Sequence, residues 1–301
     1  MSQPGSAGSE DSMLQCVDCV DPAEAFSVVG NETRLSILEE LWRTDADAMS
    51  FSDLRRAVGM RDSAQFNYHL GELTDHFVRK GEDGYELQHA GEKVVTAVVA
   101  GSITEKPHVE PFPVEGECFA CGGALQGVYE DERLSIECVE CGHQHGDYDF
   151  PPGGLTDRTP TEIAEAFDQR VRHLHCLAAD GVCPECSGRM EHSIEREGEC
   201  CLGVPVRVEH ECQQCGHELC SAPGLRLLDH SEVVSFHRER GVRLDERPYW
   251  TLEWCVGEEY TELVSEDPIR VELVAAIDGD ELHVTIDGDL DVVETAVREA
   301  V

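Results

Sequence analysis

Four Cys-x-x-Cys pairs between residues 118 and 215 constrain this chain more than any other feature. Cys118 and Cys121 are followed after 16 residues by Cys138 and Cys141, and Cys183 and Cys186 are followed after 25 residues by Cys212 and Cys215. A two-residue gap lets one tight knuckle present two thiolates to a single ion, so two knuckles close a four-sulfur shell. Gly122 and Gly142, placed just after knuckles, permit the positive φ that turns backbone N–H groups toward sulfur. A unit of about 40 residues buries too little apolar surface to fold alone, so ion binding and folding become one event.

This spacing is that of a zinc ribbon, and a shell of four thiolates has no open position, so both Zn²⁺ sites are expected to be structural. The second spacer is the longer one, and Cys200, Cys201 and Cys220 lie close enough in sequence to replace a ligand there. The match to the first module favours Cys183, Cys186, Cys212 and Cys215. Cys176 and Cys255 read as buried small hydrophobes, and His143 and His217, at one offset from their knuckles, as groups outside the ligand shell. The modules also repeat each other. Glu137 to His143 is echoed by Glu211 to His217, and each second cysteine pair is followed by a Pro-Gly turn and then a helical stretch, about 161–178 and 230–240. A duplicated unit of cysteine module plus helix is the economical reading.

The N-terminus has neither a basic region nor an apolar run of a secretory signal, and no segment approaches the roughly 20 apolar residues of a membrane span. The chain is therefore expected in the cytoplasm, without membrane contact, where thiols are kept reduced. Cys16 and Cys19 stand apart in a Gly- and Ser-rich leader and are expected to be free thiols; two leaders sharing one ion in a dimer, or a redox dithiol, are the alternatives.

Charge narrows the partners. There are 62 Asp and Glu against 23 Lys and Arg, a net charge of −39, which excludes a generally basic nucleic-acid coat. Twenty of the basic residues are Arg and three are Lys, a balance that looks like the cytosolic proteins of salt-accumulating halophiles. At molar salt the Debye length falls to about 3 Å, which screens the self-repulsion of such a surface.

Residues 21–101 carry a net charge of −7, yet Leu54 to Lys80 is locally +2, with Arg55, Arg56, Arg61, Arg79 and Lys80. Helices are predicted after the caps Asp21 and Asn31, a third, short one after Ser50 to Ser52, and a fourth after Asp62, with Gln65 three residues on. Leu35, Leu38, Leu41 and Trp42 are expected to face the core from the second helix, and Phe66, Leu70 and Leu73 from the fourth. The fourth helix then shows Ser63, Gln65, Asn67 and Tyr68 on its other side. Small polar and amide side chains near a helix start, after a three-residue turn, suit entry into a DNA major groove, where Asn and Gln pair with adenine and Arg with guanine or phosphate. Phe77 to Lys80 and Tyr85 to Leu87 predict a wing hairpin, and a last helix, about 90–100, carries Val94, Val95, Val98 and Val99 along one side suited to a second copy. Val29 to Leu35, Phe51 to Leu54 and Phe66 to Leu70 resemble the winged helix-turn-helix of ArsR-like transcriptional regulators, especially haloarchaeal ones. Phe51 to Val58 has no Cys and Gly91 to Ala100 offers only Glu92, so the metal-sensing sites of that family are not carried over.

The expected class is α+β: a leader (1–20), a winged helix-turn-helix domain (21–104), zinc ribbon 1 plus helix (114–180), zinc ribbon 2 plus helix (181–245) and a β-rich segment (246–301) with strands at Tyr249 to Val256, Arg270 to Ile277 and Leu282 to Ile286. The expected function is sequence-specific regulation of transcription by a homodimer on double-stranded DNA, with a protein or small-molecule effector at the C-terminal half. The alternative is a zinc-ribbon interaction scaffold on transcription or RNA machinery. No phosphate-binding loop, nucleophile elbow or His-Glu-x-x-His motif is present, and no catalysis is expected.

Overall fold

Local capping sets where the helices begin. The Asp21 carboxylate accepts from the N–H groups of Ala23 and Glu24 with Pro22 in the first turn, opening α1 (Pro22–Val29). Asn31 does the same for α2 (Glu32–Arg43), Ser50 for α3 (Phe51–Ala57) and Asp62 for α4 (Ser63–Leu73). A hairpin of β1 (Val78–Lys80) and β2 (Tyr85–Leu87) follows, joined at its edge by a bridge from Met49 to Tyr85, and α5 (His89–Val99) closes the segment. The computed structural model describes residues 19–196 and 206–299, and the chain divides into two units, Met1–Ile103 and Thr104–Val301.

In the first unit Ile37, Leu38 and Leu41 of α2 meet Leu54 of α3, Phe66, Leu70 and Leu73 of α4 and Val95 of α5 in one core. Trp42 does not join it; it is 45% exposed and Leu35 is only half-buried. The buried stripe of α2 runs through Ile37 instead, because Leu38 and Leu41 fix the helix face and 3.6-residue periodicity carries Trp42 past its edge. The valines of α5 are divided as well. Val95 is buried and Val94 packs on the core, whereas Val99 is 64% exposed, so a single free valine face is not present.

The second unit opens with an antiparallel sheet in the order β3 (Phe112–Glu117), β4 (Ala124–Glu130), β5 (Arg133–Cys138), β6 (Gln144–Asp149). Thr159 and Glu162 form a capping box for α6 (Pro160–Ala179), the long helix expected there. A three-stranded antiparallel sheet follows, β7 (Met190–Glu195), β8 (Arg207–Cys212) and β9 (Glu218–Ser221), and then α7 (Ser231–Glu239). The segment Tyr249 to Val256 is not a strand. It forms a 3₁₀ turn at Tyr249–Thr251 and the short α8 (Glu253–Val256). Its aromatic and β-branched content signals a strand, but Tyr249, Trp250, Trp254 and Cys255 are all buried, so no face is left for the polar half of an alternating pattern. Gly224 in the second Pro-Gly turn is obligatory here, since a Cβ would lie 2.4 Å from the carbonyl oxygen of Cys255.

The chain ends in a four-stranded meander, β10 (Thr261–Glu266), β11 (Ile269–Ile277), β12 (Asp280–Asp287) and β13 (Val292–Arg298). Leu134 and Ile136 of β5, Phe167 and Val171 of α6, Leu227, Trp250, and Val271 and Ile286 of the meander belong to one hydrophobic core. The cysteine modules, their helices and the tail are thus built around a shared interior. The architecture is mixed α and β, with several helices and antiparallel sheets.

Candidate metal centres and polar surfaces

Each cysteine module places its first pair at the entry to a strand hairpin and its second pair at the end of a strand, so the register of the hairpin brings the two knuckles together. Leu125 stands opposite Cys138, and Met190 opposite Cys212. The sulfurs of Cys118, Cys121, Cys138 and Cys141 lie within 4.8 Å of one another, as do those of Cys183, Cys186, Cys212 and Cys215. Cys118 to Cys141 is 3.7 Å, Cys121 to Cys138 is 3.4 Å, Cys183 to Cys215 is 3.8 Å and Cys186 to Cys212 is 3.5 Å. These are far beyond the roughly 2.05 Å of a disulfide. In each cluster two cysteines are buried and two exposed.

The backbone prepares one sulfur in each group for negative charge, while the neighbouring thiols Cys118 and Cys121, and Cys186 and Cys215, are held up by the sulfurs around them and by burial. Cys138 Sγ accepts from the N–H groups of Glu140 at 3.4 Å and Cys141 at 3.5 Å, and Cys212 Sγ from those of Gln214 and Cys215 at the same distances. The Cys141 N–H above all holds the Cys138 thiol down at about 6, and the Cys215 N–H acts likewise on Cys212. Gly122, Gly142 and Gly216 have φ of +75°, +71° and +72°, the left-handed conformation the knuckle turn requires. Both groups are geometrically suited to a metal ion.

The remaining cysteines divide. Cys255 is buried, as a small hydrophobe would be. Cys176 is only half-buried, and its thiol sits 3.2 Å from Asp229 Oδ2, a polar contact the hydrophobic reading does not include. Cys16, Cys200 and Cys201 lie outside the described residues; Cys19 is disulfide-bonded, so it is not the free thiol expected. His143 is no ligand in the first cluster. It packs edge-on against Phe119 and against His145, a buried residue that the sequence pattern does not single out.

On the first unit, Phe66, Leu70 and Leu73 are buried while Ser63, Gln65, Asn67 and Tyr68 on the same helix are exposed. Arg61 is exposed beside them. The Arg55 guanidinium turns inward instead and donates to the carbonyl oxygens of Arg61 at 2.7 Å and Met60 at 3.3 Å, clamping the turn between α3 and α4. Arg56 pairs with Asp53 at 2.7 Å and Arg79 with Glu86 at 2.9 Å. Both pairs are exposed, and such pairs are weak enough to be exchanged for another anion. Lys80 lies 5.8 Å from the centre of the Tyr85 ring.

Residues 115–292, more than half of the chain, match a domain of unknown function, DUF7351. The chain belongs to the DUF7351 family. Its match takes in both four-cysteine groups, all of α6 and α7, and most of the terminal meander. Residues 22–98, from α1 to α5, match a second domain of unknown function, DUF7347. No curated protein and no solved structure matches the chain. Among the described residues no helix is long and apolar enough to cross a membrane.

Proposed function

We propose that this DUF7351 protein is a sequence-specific DNA-binding transcriptional regulator of the cytoplasm, with a winged helix-turn-helix in residues 21–104 and two structural Zn²⁺ sites. The observation that carries the reading is α4. Its apolar stripe is fully used in the core, and its other face offers Ser63, Gln65, Asn67 and Tyr68 to solvent, directly after a turn and before a hairpin whose strand carries Arg79 and Lys80. Order and chemistry match a recognition helix followed by a wing. The exposed apolar residues Phe26 of α1, Val99 of α5 and Ile103 just beyond it suit a second copy, so the working state is a homodimer on double-stranded DNA. The C-terminal half is the place for an effector, and no catalysis is assigned.

Zinc suits the thiolate groups. Four sulfurs about 2.3 Å from a tetrahedral ion stand about 3.8 Å apart, close to the spacings of 3.4–3.8 Å found here. When bound, the ion holds the knuckles and supplies no reaction.

A salt-titrated mobility-shift assay on selected genomic duplexes tests the reading. Gln65→Ala with Asn67→Ala is expected to cost at least tenfold on the preferred sequence and little on random duplex, since each base contact is worth about 1–3 kcal/mol. Arg56→Ala with Arg79→Ala should instead weaken all sequences alike and lower the salt slope by about 2. Arg55 is unsuitable for the test because its loss would release the α3–α4 turn. Retention that is independent of sequence and untouched by the α4 changes would overturn the proposal in favour of an interaction scaffold.

A further inference from the structure

The terminal meander ends in two edge strands whose charge patterns differ. β10 pairs only with β11 and β13 only with β12. Among the described residues no strand or isolated bridge pairs with the other side of either. A free row of backbone N–H and C=O groups is a template for another strand unless charge, Pro or a bulge blunts it. β10 is blunted in all three ways. Glu262 and Glu266 stand exposed four residues apart, the register breaks between Leu263 and Ser265, and Pro268 lies just beyond the strand. Glu266 is also taken by Arg196 at 2.7 Å. Two copies of β10 meeting antiparallel about Val264 would set each Glu262 against a Glu266, and like charges directly opposite destabilise a sheet.

β13 has the same four-residue spacing with unlike charges. Glu294 and Arg298 are exposed, and among the described residues no ion pair or side-chain hydrogen bond reaches either. The register break of β13 falls at Val293, which leaves Glu294 to Arg298 regular along β12. The Glu232 carboxylate of α7 accepts from the Thr295 hydroxyl, on the face that Thr295 shares with buried Val284 opposite it. That contact steadies the strand and leaves its edge open.

Antiparallel pairing of two copies about Ala296 sets Glu294 of each against Arg298 of the other, twice by symmetry. Thr295 then faces Val297 of the second copy, which covers a valine that is 52% exposed. Within its own sheet Arg298 stands opposite Glu281, and Glu294 opposite Thr285. The joined row therefore runs Glu281, Arg298, then Glu294 and Thr285 of the second copy. A cation lies between two acids.

Charge also names the occupant. A chain of net charge −39 repels its own copies, so a surface for self-association has to be locally neutral. β13, with one acid and one base in seven residues, is such a segment. A partner strand that is only acidic or only basic would leave Glu294 or Arg298 facing its like, whereas a second β13 satisfies both at once.

We propose that β13 is a self-association edge, through which two copies pair antiparallel along Glu294 to Arg298 and join their meanders into one sheet. It is separate from the apolar residues of the first unit and stands whether or not those pair. Sedimentation equilibrium of the full-length chain loaded with Zn²⁺ tests it, at the lowest potassium chloride concentration at which circular dichroism shows the chain folded. Glu294→Arg alone and Arg298→Glu alone are each expected to weaken association at least tenfold, since each sets two like pairs across the junction. Mixed in equal amounts, these two variants should associate with each other as tightly as the parent does with itself, because every opposed pair is again unlike. Glu294→Arg with Arg298→Glu in one chain should recover association as well. Hydrogen exchange of the parent needs no variant: protection over Glu294 to Arg298 should rise with protein concentration, and protection over β10 should not. Phe26→Ser with Val99→Ser removes the apolar surface proposed for pairing of the first unit and should leave the β13 step in place, so the two readings fail separately. Protection over β13 that is the same at every concentration, or a mixture that associates no better than its single variants, would overturn the proposal.

Discussion

Chelation is expected to unfold the second cysteine module first, the first module later, and the Met1–Ile103 unit not at all. The order follows from what each part has besides the ion. Cys183 and Cys212 share a small apolar cluster with Ala178 and Met190, Leu219 packing at its edge, and of β7, β8 and β9 only Val208 is buried in the large core, with Ile194 and Leu219 against it. Cys118 and Cys138 instead belong to the large core that includes Leu134, Phe167 and Trp250. The first unit has its own core and none of the eight clustered cysteines. Structural zinc, the ion proposed above for both groups, is worth on the order of 10 kcal/mol or more in zinc-finger peptides, comparable to the whole stability of a domain, so an ion removed from a small cluster would leave too little to hold three strands. Hydrogen exchange read by mass spectrometry during titration with a chelator checks this. Protection should vanish over β7, β8 and β9 before β4 and β5, and persist in α2 and α4. A uniform loss across both units, or protection of β8 unchanged at full metal removal, would contradict it. Cys186→Ser should reproduce the first stage alone and Cys141→Ser the second.

What the chain discloses without a structure depends on how local the cause is. The caps at Asp21, Asn31 and Asp62 act within three residues, and all three start helices where the side chains indicate; the third helix starts at Phe51, one residue inside the Ser50 to Ser52 stretch. The cysteine pairs are equally local, because a knuckle is a two-residue gap, and joining the pairs needs only a hairpin. Burial is less local. Hydrophobicity alone sends Trp42 to the core, whereas the helix face is set by Leu38 and Leu41 and their partners in α4. β10 and β13 escape notice because they are edge strands without a fully buried side chain, so Glu262, Glu266 and Glu294 interrupt the apolar pattern even though β13 is rich in Val and Thr.

Asp168→Ala should cost the Thr104–Val301 unit about 3–5 kcal/mol, although no motif includes that residue. Asp168 is buried on α6, at a position where helical periodicity alone would place an apolar side chain. One carboxylate oxygen accepts the Tyr249 N–H at 2.7 Å, and the other accepts from Arg172 Nε at 2.7 Å and from Gln169 at 3.2 Å. The Arg172 guanidinium also donates to the Arg247 carbonyl. The carboxylate thus fastens the start of the Tyr249–Thr251 turn to α6, and this turn seats Trp250, whose indole N–H reaches the Glu115 carbonyl in β3 at 2.9 Å. Removing Asp168 leaves a nearly buried guanidinium and a buried backbone N–H without their acceptor, and breaking a buried pair on one side costs about 3–5 kcal/mol. For a unit of this size the melting temperature should fall by about 10 °C. Asp168→Asn keeps an acceptor for Tyr249 and should recover part of the loss. Asp168→Ala with Arg172→Met should be less damaging than the two changes added together, because no charge is then stranded. Urea unfolding of the metal-saturated chain, followed by tryptophan fluorescence, provides the comparison, with Glu165→Ala on the exposed side of the same helix expected to stay within about 0.5 kcal/mol. If Asp168→Ala were as mild as Glu165→Ala, the tail would not depend on this carboxylate, and the seating of Trp250 would rest on apolar packing alone.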